Sequence, residues 1–197
     1  VYKRQYKYLF CDQKNIFDRK NRSDNQWLVN ENQNVGFVAT GQIGITITGQ
    51  GIPLDAFKVD HACGAVEKAV MEQSEKNIVL IEGQGSLLHP GSTATLPLMR
   101  GSSPTHLILC HGAHKTHLRS PKEVAVPDLK SFIVLHEDLC SVIGTYPEAK
   151  VVGIALNTSD LTNSSSKATI AQMEDEIKLP VQDVVRFGAE KLAIQFI

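Results

Sequence analysis

The stretch IEGQGSLLHP, residues 81–90, concentrates groups that can do chemistry. Glu82 directly follows an apolar run, where a carboxylate can accept a proton or hold a metal-bound water. His89 adds a second titratable side chain within a few residues. Two intervening glycines permit a sharp turn that brings backbone N–H groups close to an anion. Alternatively, Glu82 caps a neighbouring helix and the glycines only form a turn. The predicted cofactor-binding residues of this turn are Gly83, Gln84, Gly85 and Ser86.

Three further turns that follow apolar runs also carry polar residues. They contain Thr40, Gly41 and Gln42, then His111, and then Asn157 and Thr158. In an open parallel sheet the carboxyl ends of the strands share one edge, where ligands bind. We therefore expect these turns to form one site, with His111 as a third catalytic candidate and the other residues binding a cofactor. Alternatively, these residues only form turns whose polar groups are hydrogen-bonded within the chain.

Two charged residues near these turns are candidates for substrate binding. Asp55 lies in a loop bounded by glycine and proline and could face a ligand. Arg186 lies near the last loop, where a guanidinium could bind a carboxylate or phosphate. A structural salt bridge at Arg186 is an equally good interpretation.

The elements that must position these residues alternate along the chain. Apolar runs typical of buried strands occur at 35–40, 77–83, 105–112 and 149–161, and helical patterns at 59–76 and 164–178. Residues 44–51 alternate as a strand or hairpin arm does, and 130–144 predict a short strand with a helix. Residues 179–197 predict a last short strand or turn and a closing helix. The fold class is therefore α/β, with a mostly parallel sheet in a three-layer domain.

Composition narrows the classes of partner. The 197 residues carry a net charge of −1, which gives no electrostatic reason to expect nucleic acid or an anionic membrane. No apolar stretch approaches the roughly 20 residues that cross a bilayer. The four cysteines lack C-x-x-C spacing, which favours reduced thiols in a cytoplasmic protein. We expect a small-molecule substrate, and a homo-oligomer remains open.

A metal site is not expected. His111, His114 and His117 are spaced three apart, but in a loop this spacing fixes no geometry. No carboxylate or second cysteine lies beside them to complete a zinc site.

Six motifs occur in an order that resembles a known family. They are FVATGQIG, GIPLDAFKVDHACGAVE, IEGQGSLLHPG, LMRGSSPTHLILCH, VVGIALNT and LPVQDVVRFG. Together they resemble the C-terminal domain of the D-glutamate N-acetyltransferase family, formerly a domain of unknown function, over residues 35–197. The resemblance implies a P-loop NTPase-like fold similar to dethiobiotin synthetase. It also implies acetyl transfer from acetyl-CoA to the amine of D-glutamate, in D-amino-acid catabolism.

This chain departs from the family at its start. Family members carry a glycine-lysine phosphate loop upstream of the T-G-Q-x-G motif, and no G-x-x-x-x-G-K-[ST] motif exists here. We therefore expect an N-terminally truncated member that is inactive as a fragment. Residues 1–34 are expected to be a poorly defined remnant, and residues 35–197 the P-loop-type domain.

The resemblance assigns roles and leaves alternatives. Glu82 or His89 would be the general base, backbone N–H groups of 83–86 would bind an anion, and Arg186 or Arg100 a substrate carboxylate. The alternative enzyme is a nucleotide-dependent ligase or kinase-like protein, in which Glu82 would hold Mg²⁺ near ATP through water. A non-enzymatic ligand-binding module is the third possibility.

Overall fold

The computed structural model describes residues 34–196, which alternate between strands and helices. The strands are β1 (Val35–Val38), β2 (Ile78–Ile81), β3 (His106–Gly112), β4 (Lys150–Asn157) and β5 (Val181–Gln182). The longer helices are α1 (Gln42–Thr48), α2 (Val59–Met71), α3 (Thr95–Ser102), α4 (Leu129–Ser141) and α5 (Asn163–Ile177). Short α6 (Val184–Phe187) and α7 (Glu190–Ala193) follow, with 3₁₀ turns at Leu54–Ala56 and Ile194–Phe196. The predicted remnant at 1–34 lies outside the described residues, apart from Asn34.

All strand pairs in the described part of the chain are parallel. β1 pairs with β2, and β3, β4 and β5 pair in that order. Parallel neighbours joined by helical crossovers are the architecture of an α/β domain. The predicted fold class is confirmed, and so are the four predicted strands that begin at 35, 77, 105 and 149, to within a few residues.

The two groups of strands end at the same edge of the domain. α3 begins beside the carboxyl end of β2, since the Thr95 hydroxyl donates to the Gln84 carbonyl at 3.2 Å. α3 then runs back for eight residues, about 12 Å, and β3 begins after three intervening residues. β3 therefore starts at the far edge and finishes at the same edge as β2, although the two strands do not pair. We call the edge that holds these carboxyl ends the rim.

Alternate residues of β2 and β3 bind the two groups of strands into one core. The larger apolar cluster contains Val79 and Ile81 together with Leu107 and Leu109. The smaller cluster, on the other face, contains neighbouring residues of both strands. All four residues of β2 are buried, as their continuous apolar run predicts.

The prediction of a strand at 44–51 is wrong, because residues 42–48 form helix α1. Its alternating Ile and Thr residues favour a strand locally. Tertiary contacts override this preference: Gly41 begins the helix, and the Glu82 carboxylate accepts hydrogen bonds at its first turn. The hydroxyls of Thr46 and Thr48 also donate to carbonyls one turn earlier in the same helix.

The strand predicted within 130–144 is absent, since residues 129–141 form a continuous helix, α4. Asp128 begins this helix, and its carboxylate accepts the backbone N–H of Ser131 at 2.8 Å. Phe132, Ile133 and Cys140 are buried on one face of this helix. The apolar residues near its start are the ones that the sequence pattern assigned to a strand. Helix α3 was not predicted.

The cysteines follow the prediction of reduced thiols only in part. Cys63 and Cys140 are free, and burial raises the pKa of Cys140 to about 12, so it is a thiol at neutral pH. Cys110, on β3, is disulfide-bonded, which the sequence did not predict. Cys11 lies outside the described residues. Within residues 34–196, no helix has the length and apolar character needed to span a bilayer.

Candidate functional site

Glu82 lies at the centre of a corner formed by β1, β2 and α1. Only 4 % of its surface is exposed, and its Oε2 accepts the backbone N–H groups of Thr40 at 2.8 Å and Gly41 at 2.9 Å. The Thr40 hydroxyl donates to the Glu82 carbonyl at 2.6 Å. A negative charge at the first turn of α1 also interacts favourably with the helix dipole. Glu82 thus caps the helix, the alternative interpretation of its position.

This corner uses the groups that were predicted to bind a cofactor. The N–H groups of Thr40 and Gly41 are donated to Glu82, and Thr40 is fully buried. A Cβ atom added at Gly44 would lie 2.7 Å from Glu82 Cδ, so the carboxylate needs a glycine there. At Thr40 and Gly41 the contacts are therefore structural, and their cofactor binding stays a prediction that the geometry does not favour.

The turn after Glu82 presents backbone donors. The N–H groups of Gly83, Gln84 and Gly85 meet no acceptor within the part of the chain that the structure describes. Gly85 has a φ of 79°, a left-handed conformation that favours glycine. A Cβ there would also lie 2.9 Å from the Thr95 hydroxyl. The turn therefore leaves backbone donors that could meet an anion, and its binding of a cofactor stays a prediction.

Hydroxyl groups hold the same turn in shape. The Ser86 N–H donates to Ser92 Oγ at 3.1 Å, and Ser92 Oγ lies 3.1 Å from Thr95 Oγ1. Thr95 in turn donates to the Gln84 carbonyl. Ser92 and Thr95, which the sequence analysis did not single out, therefore rigidify the candidate cradle.

His89 lies at the exposed end of this loop. Its Nδ1 accepts the N–H of Gly91 at 3.1 Å, which places the ring proton of the neutral imidazole on Nε2. The lone pair that a general base would use is thus engaged by the backbone. His89 can donate from Nε2 more readily than it can accept a proton.

His111 is better suited to accept a proton. It is half-buried near the carboxyl end of β3, opposite Leu156 of β4. Burial lowers the pKa of its imidazole, and the nearby positive charge of Lys115 lowers that pKa further. His111 is therefore neutral at physiological pH. Lys115 was missed by the sequence analysis, although it stands four residues after His111 in a loop rich in histidine.

The last pair of predicted cofactor residues differs in accessibility. Thr158 is buried, and its N–H and its hydroxyl both donate to Asp183, the former at 3.0 Å. Asn157 is half-buried, and its Oδ1 accepts the N–H of Ser159 at 2.9 Å. The hydroxyl of Thr158 is thus unavailable to a ligand, whereas the Asn157 amide nitrogen lies at the rim. Asp183 was not predicted as a site residue. The sequence feature that could have indicated it is an acid directly before the apolar residues that begin α6.

Arg186 binds its own chain. Its guanidinium donates to the carbonyls of Thr158 and Leu161 at 3.1 Å and 2.7 Å, and to Asn163 Oδ1 at 2.5 Å. A third carbonyl, that of Ser159, lies at 3.3 Å. These contacts fix the loop between β4 and α5. The structural interpretation of Arg186 therefore fits the geometry better than substrate binding.

Arg100 lies away from the rim. It is near the end of α3, the end that leads to the start of β3, and its guanidinium lies 5.6 Å from the ring centre of Tyr146. Tyr146 belongs to the loop that leads to the start of β4. Arg100 and Tyr146 therefore both lie at the edge opposite the carboxyl ends of the strands. The structure thus does not bring Arg100 to the site that the other residues form.

Two polar residues line the outer part of the corner. Gln42 and Asp55 are exposed, and the Gln42 amide donates to Asp55 Oδ2 at 3.4 Å. The Gln84 side chain covers Gly41, since its Oε1 would lie 2.8 Å from a Cβ there. The structure therefore places Gln42, Asp55 and Gln84 around the start of α1, and their roles in binding stay predictions.

The rim thus offers a neutral imidazole, backbone donors and a nearby cation. No group of three His, Cys, Asp or Glu side chains within residues 34–196 could hold a metal ion. Such a site can take a proton and stabilise a developing negative charge. Parallel strands, helical crossovers and polar turns at one edge define an α/β domain of the P-loop class.

The chain belongs to the family described as "Domain of unknown function (DUF1611_C) P-loop domain", whose model matches residues 25–193. This match confirms the resemblance seen in the motifs. It also confirms the P-loop-type fold.

Two curated relatives carry an enzyme name. A protein from Tritonibacter scottomollicae called D-glutamate N-acetyltransferase is 38 % identical over 157 residues, which is 79 % of this chain and 46 % of that protein. A protein of the same name from Pseudoalteromonas sp. is 33 % identical over 163 residues, 82 % of this chain and 48 % of that protein. The chain spans about half the length of the curated relatives that it matches.

Solved structures agree on the fold. A DUF1611 family protein from Anabaena variabilis has a TM-score of 0.93 and 42 % identity, covering 98 % of this chain and 57 % of that one. Chloroplast FtsY from Physcomitrella patens has a TM-score of 0.50 and 16 % identity, covering 98 % and 65 % respectively. The second likeness shows the fold alone.

Proposed function

We propose that this chain carries the site of an N-acetyltransferase that moves an acetyl group from acetyl-CoA to the amine of D-glutamate. The observation that carries the proposal is the shared name of two curated relatives, at 33–38 % identity over about four-fifths of the chain. A place in D-amino-acid catabolism follows from the same substrate.

The rim supplies the two functions that this reaction needs. The amine of D-glutamate is an ammonium ion, and it must lose a proton before its nitrogen attacks the thioester carbonyl. His111 accepts that proton, because its imidazole is neutral and half-buried at the rim. The N–H groups of Gly83, Gln84 and Gly85 stabilise the negative charge that develops on the carbonyl oxygen.

Other residues position these groups. Glu82 holds α1 against the end of β2, and Ser92 and Thr95 shape the donor turn. Lys115 places positive charge near His111, where it attracts the carboxylates of the substrate. Glu82 and His89 stay alternatives for the base, but the contacts of both favour other roles.

Binding and turnover test the proposal separately. We expect the chain to bind acetyl-CoA and D-glutamate in calorimetry, with weaker binding of L-glutamate. The turnover rate is measured as formation of N-acetyl-D-glutamate by mass spectrometry. His111→Asn is expected to lower that rate by about 100-fold or more, whereas His117→Asn, on an exposed neighbour, leaves it unchanged. A chain that binds neither substrate contradicts the proposal.

A second candidate keeps the fold and changes the chemistry. A buried acid directly after a strand is also where a P-loop enzyme holds Mg²⁺ through water, and FtsY shares the fold. On this reading the chain binds ATP with Mg²⁺ and consumes it in a ligase or kinase-like reaction. Parallel reactions with ATP and with acetyl-CoA distinguish the two, since each candidate consumes only one. Binding without consumption of either favours a ligand-binding module.

A further inference from the structure

A basic hairpin stands on the rim beside His111. The chain leaves β3 at Gly112, which pairs with Asn157 at the rim, and returns to the rim at Asp128, where α4 begins. Between these points, residues 116–126 fold back on themselves. The Leu118 N–H donates to the Val124 carbonyl at 2.9 Å, and the Val126 N–H to the Thr116 carbonyl at 2.8 Å. We call residues 116–126 the rim hairpin.

The tip of the rim hairpin carries positive charge that residues 34–196 leave without an ion-pair partner. Arg119 and Lys122 are exposed, and neither forms an ion pair or hydrogen bond within the part of the chain that the structure describes. Glu123 is the single acid between residues 113 and 127. The chain as a whole carries a net charge of −1, so this excess of positive charge is local.

Cations held on a hairpin attract phosphate groups. An arginine and a lysine three residues apart can each donate charge-assisted hydrogen bonds to a phosphate, and a guanidinium can do so with two parallel bonds. The cross-strand hydrogen bonds limit the freedom of the tip, so less entropy is lost when a ligand binds.

The acetyl donor of the proposed reaction has phosphate groups far from its reactive end. Its thioester must reach His111 and the donor turn, while its adenosine carries a 3′-phosphate at the opposite end of the molecule. The rim hairpin follows the strand that carries His111 and exposes its tip, so it is placed to meet that outer end. The turn at 83–85 is tied to β2 and lies nearer the reacting atoms.

We propose that Arg119 and Lys122, at the tip of the rim hairpin, bind the 3′-phosphate of coenzyme A and so select it over other adenine nucleotides. This inference rests on the proposed acetyl transfer.

Comparison of coenzyme A with 3′-dephospho-coenzyme A tests the inference by calorimetry on the 197-residue chain. The two ligands differ only in the phosphate that the hairpin is proposed to bind. We expect the unmodified chain to bind coenzyme A about tenfold more tightly, the effect of a charge-assisted contact at a partly exposed site. The double variant R119Q/K122Q binds both ligands equally, at the affinity of the dephosphorylated one.

The matched control is K68Q/K178Q, which also removes two exposed positive charges, from the ends of α2 and α5 away from the rim. This variant retains the tenfold preference. Circular dichroism confirms that both double variants fold, and both sets of side chains are exposed.

Each outcome decides something different. A preference for coenzyme A that persists in R119Q/K122Q, or its absence from the unmodified chain, overturns the inference and leaves acetyl transfer standing. An equal loss of affinity for ATP in R119Q/K122Q overturns the assignment to the 3′-phosphate, since ATP lacks that group. Failure of the unmodified chain to bind either form of coenzyme A overturns both the inference and the proposed function.

Discussion

The Glu82 carboxylate joins the ends of two strands to the start of a helix through single hydrogen bonds. Its Oε2 takes two backbone N–H groups that would otherwise lack an acceptor at the beginning of α1. A charged acceptor makes such bonds stronger than a neutral one. At the residue scale, the acid that dominates the sequence motif therefore supports the start of α1.

Replacing Glu82 with Gln tests this supporting role. The amide keeps one acceptor oxygen but loses the negative charge, so we expect the free energy of unfolding to fall by about 1–3 kcal/mol. Urea denaturation followed by circular dichroism measures the change. Glu72→Gln serves as the control, because Glu72 is exposed and forms an ion pair with Lys68 one turn earlier. Equal effects of the two substitutions would contradict the role of Glu82.

His111 predicts how stability depends on pH. Its pKa is lowered in the folded chain, first by burial and then by Lys115, from an ordinary value of 6.5. The unfolded state therefore binds more protons as the pH falls through that value, and the folded chain loses stability. His111→Asn should reduce the loss measured by denaturation at pH 7 and pH 5. His117→Asn, on an exposed histidine, should leave it unchanged, and an equal slope in all three proteins would contradict the prediction.

At the scale of elements, two helical glycines differ in the space that an added methyl group would find. Gly44 in α1 faces the Glu82 side chain, and Gly64 in α2 faces open space. Alanine is favoured over glycine in a helix by about 0.5–1 kcal/mol when nothing opposes it. The same substitution thus separates helix propensity from packing.

We expect opposite signs for the two substitutions. Gly64→Ala should stabilise the chain by about 0.5–1 kcal/mol, since its Cβ meets no atom within 4 Å. Gly44→Ala should destabilise it by about 1–3 kcal/mol, because its Cβ would lie 2.7 Å from a buried carboxylate carbon that two N–H groups hold in place. Thermal and urea denaturation measure both. Stabilisation by Gly44→Ala would show that the corner is looser than the structure describes.

The contacts of Arg186 give a second prediction at the scale of elements. It fixes the loop after β4 through three carbonyls and Asn163, a fork of contacts that lysine cannot reproduce. Arg186→Lys should lower the free energy of unfolding by about 1–3 kcal/mol. Binding of D-glutamate by the folded variant should keep its affinity. A large loss of affinity without loss of stability would restore Arg186 as a substrate-binding residue.

The sequence predicted elements where local pattern and tertiary environment agree. The strand ends and the turn at 83–86 were found because continuous apolar runs and glycines mark them directly. Helix α1 was missed because its capping acid lies 42 residues from Thr40, beyond the reach of any local pattern. The structural role of Arg186 was left open for the same reason, since its acceptors lie 23–28 residues away.

At the scale of the whole molecule, the core connects strands that do not pair in the described part of the chain. Leu109 of β3 packs in the same cluster as Val79 and Ile81 of β2, although β2 pairs only with β1 in residues 34–196. If one apolar core holds the two groups of strands together, a substitution in the core at one group must lower the stability of both groups. Unfolding of the domain is then a single cooperative event.

Leu109→Ala tests this unity. Truncating a buried leucine leaves a cavity, and we expect a loss of about 2–5 kcal/mol. Native-state hydrogen exchange should show that loss in the amides of β2 and of β4 alike, because both are protected by the same global unfolding. Val134→Ala, at an exposed position of α4, should leave both strands unchanged. Protection lost in β4 but kept in β2 would mean that the two groups of strands unfold separately, and that the halves of the rim are free to move apart.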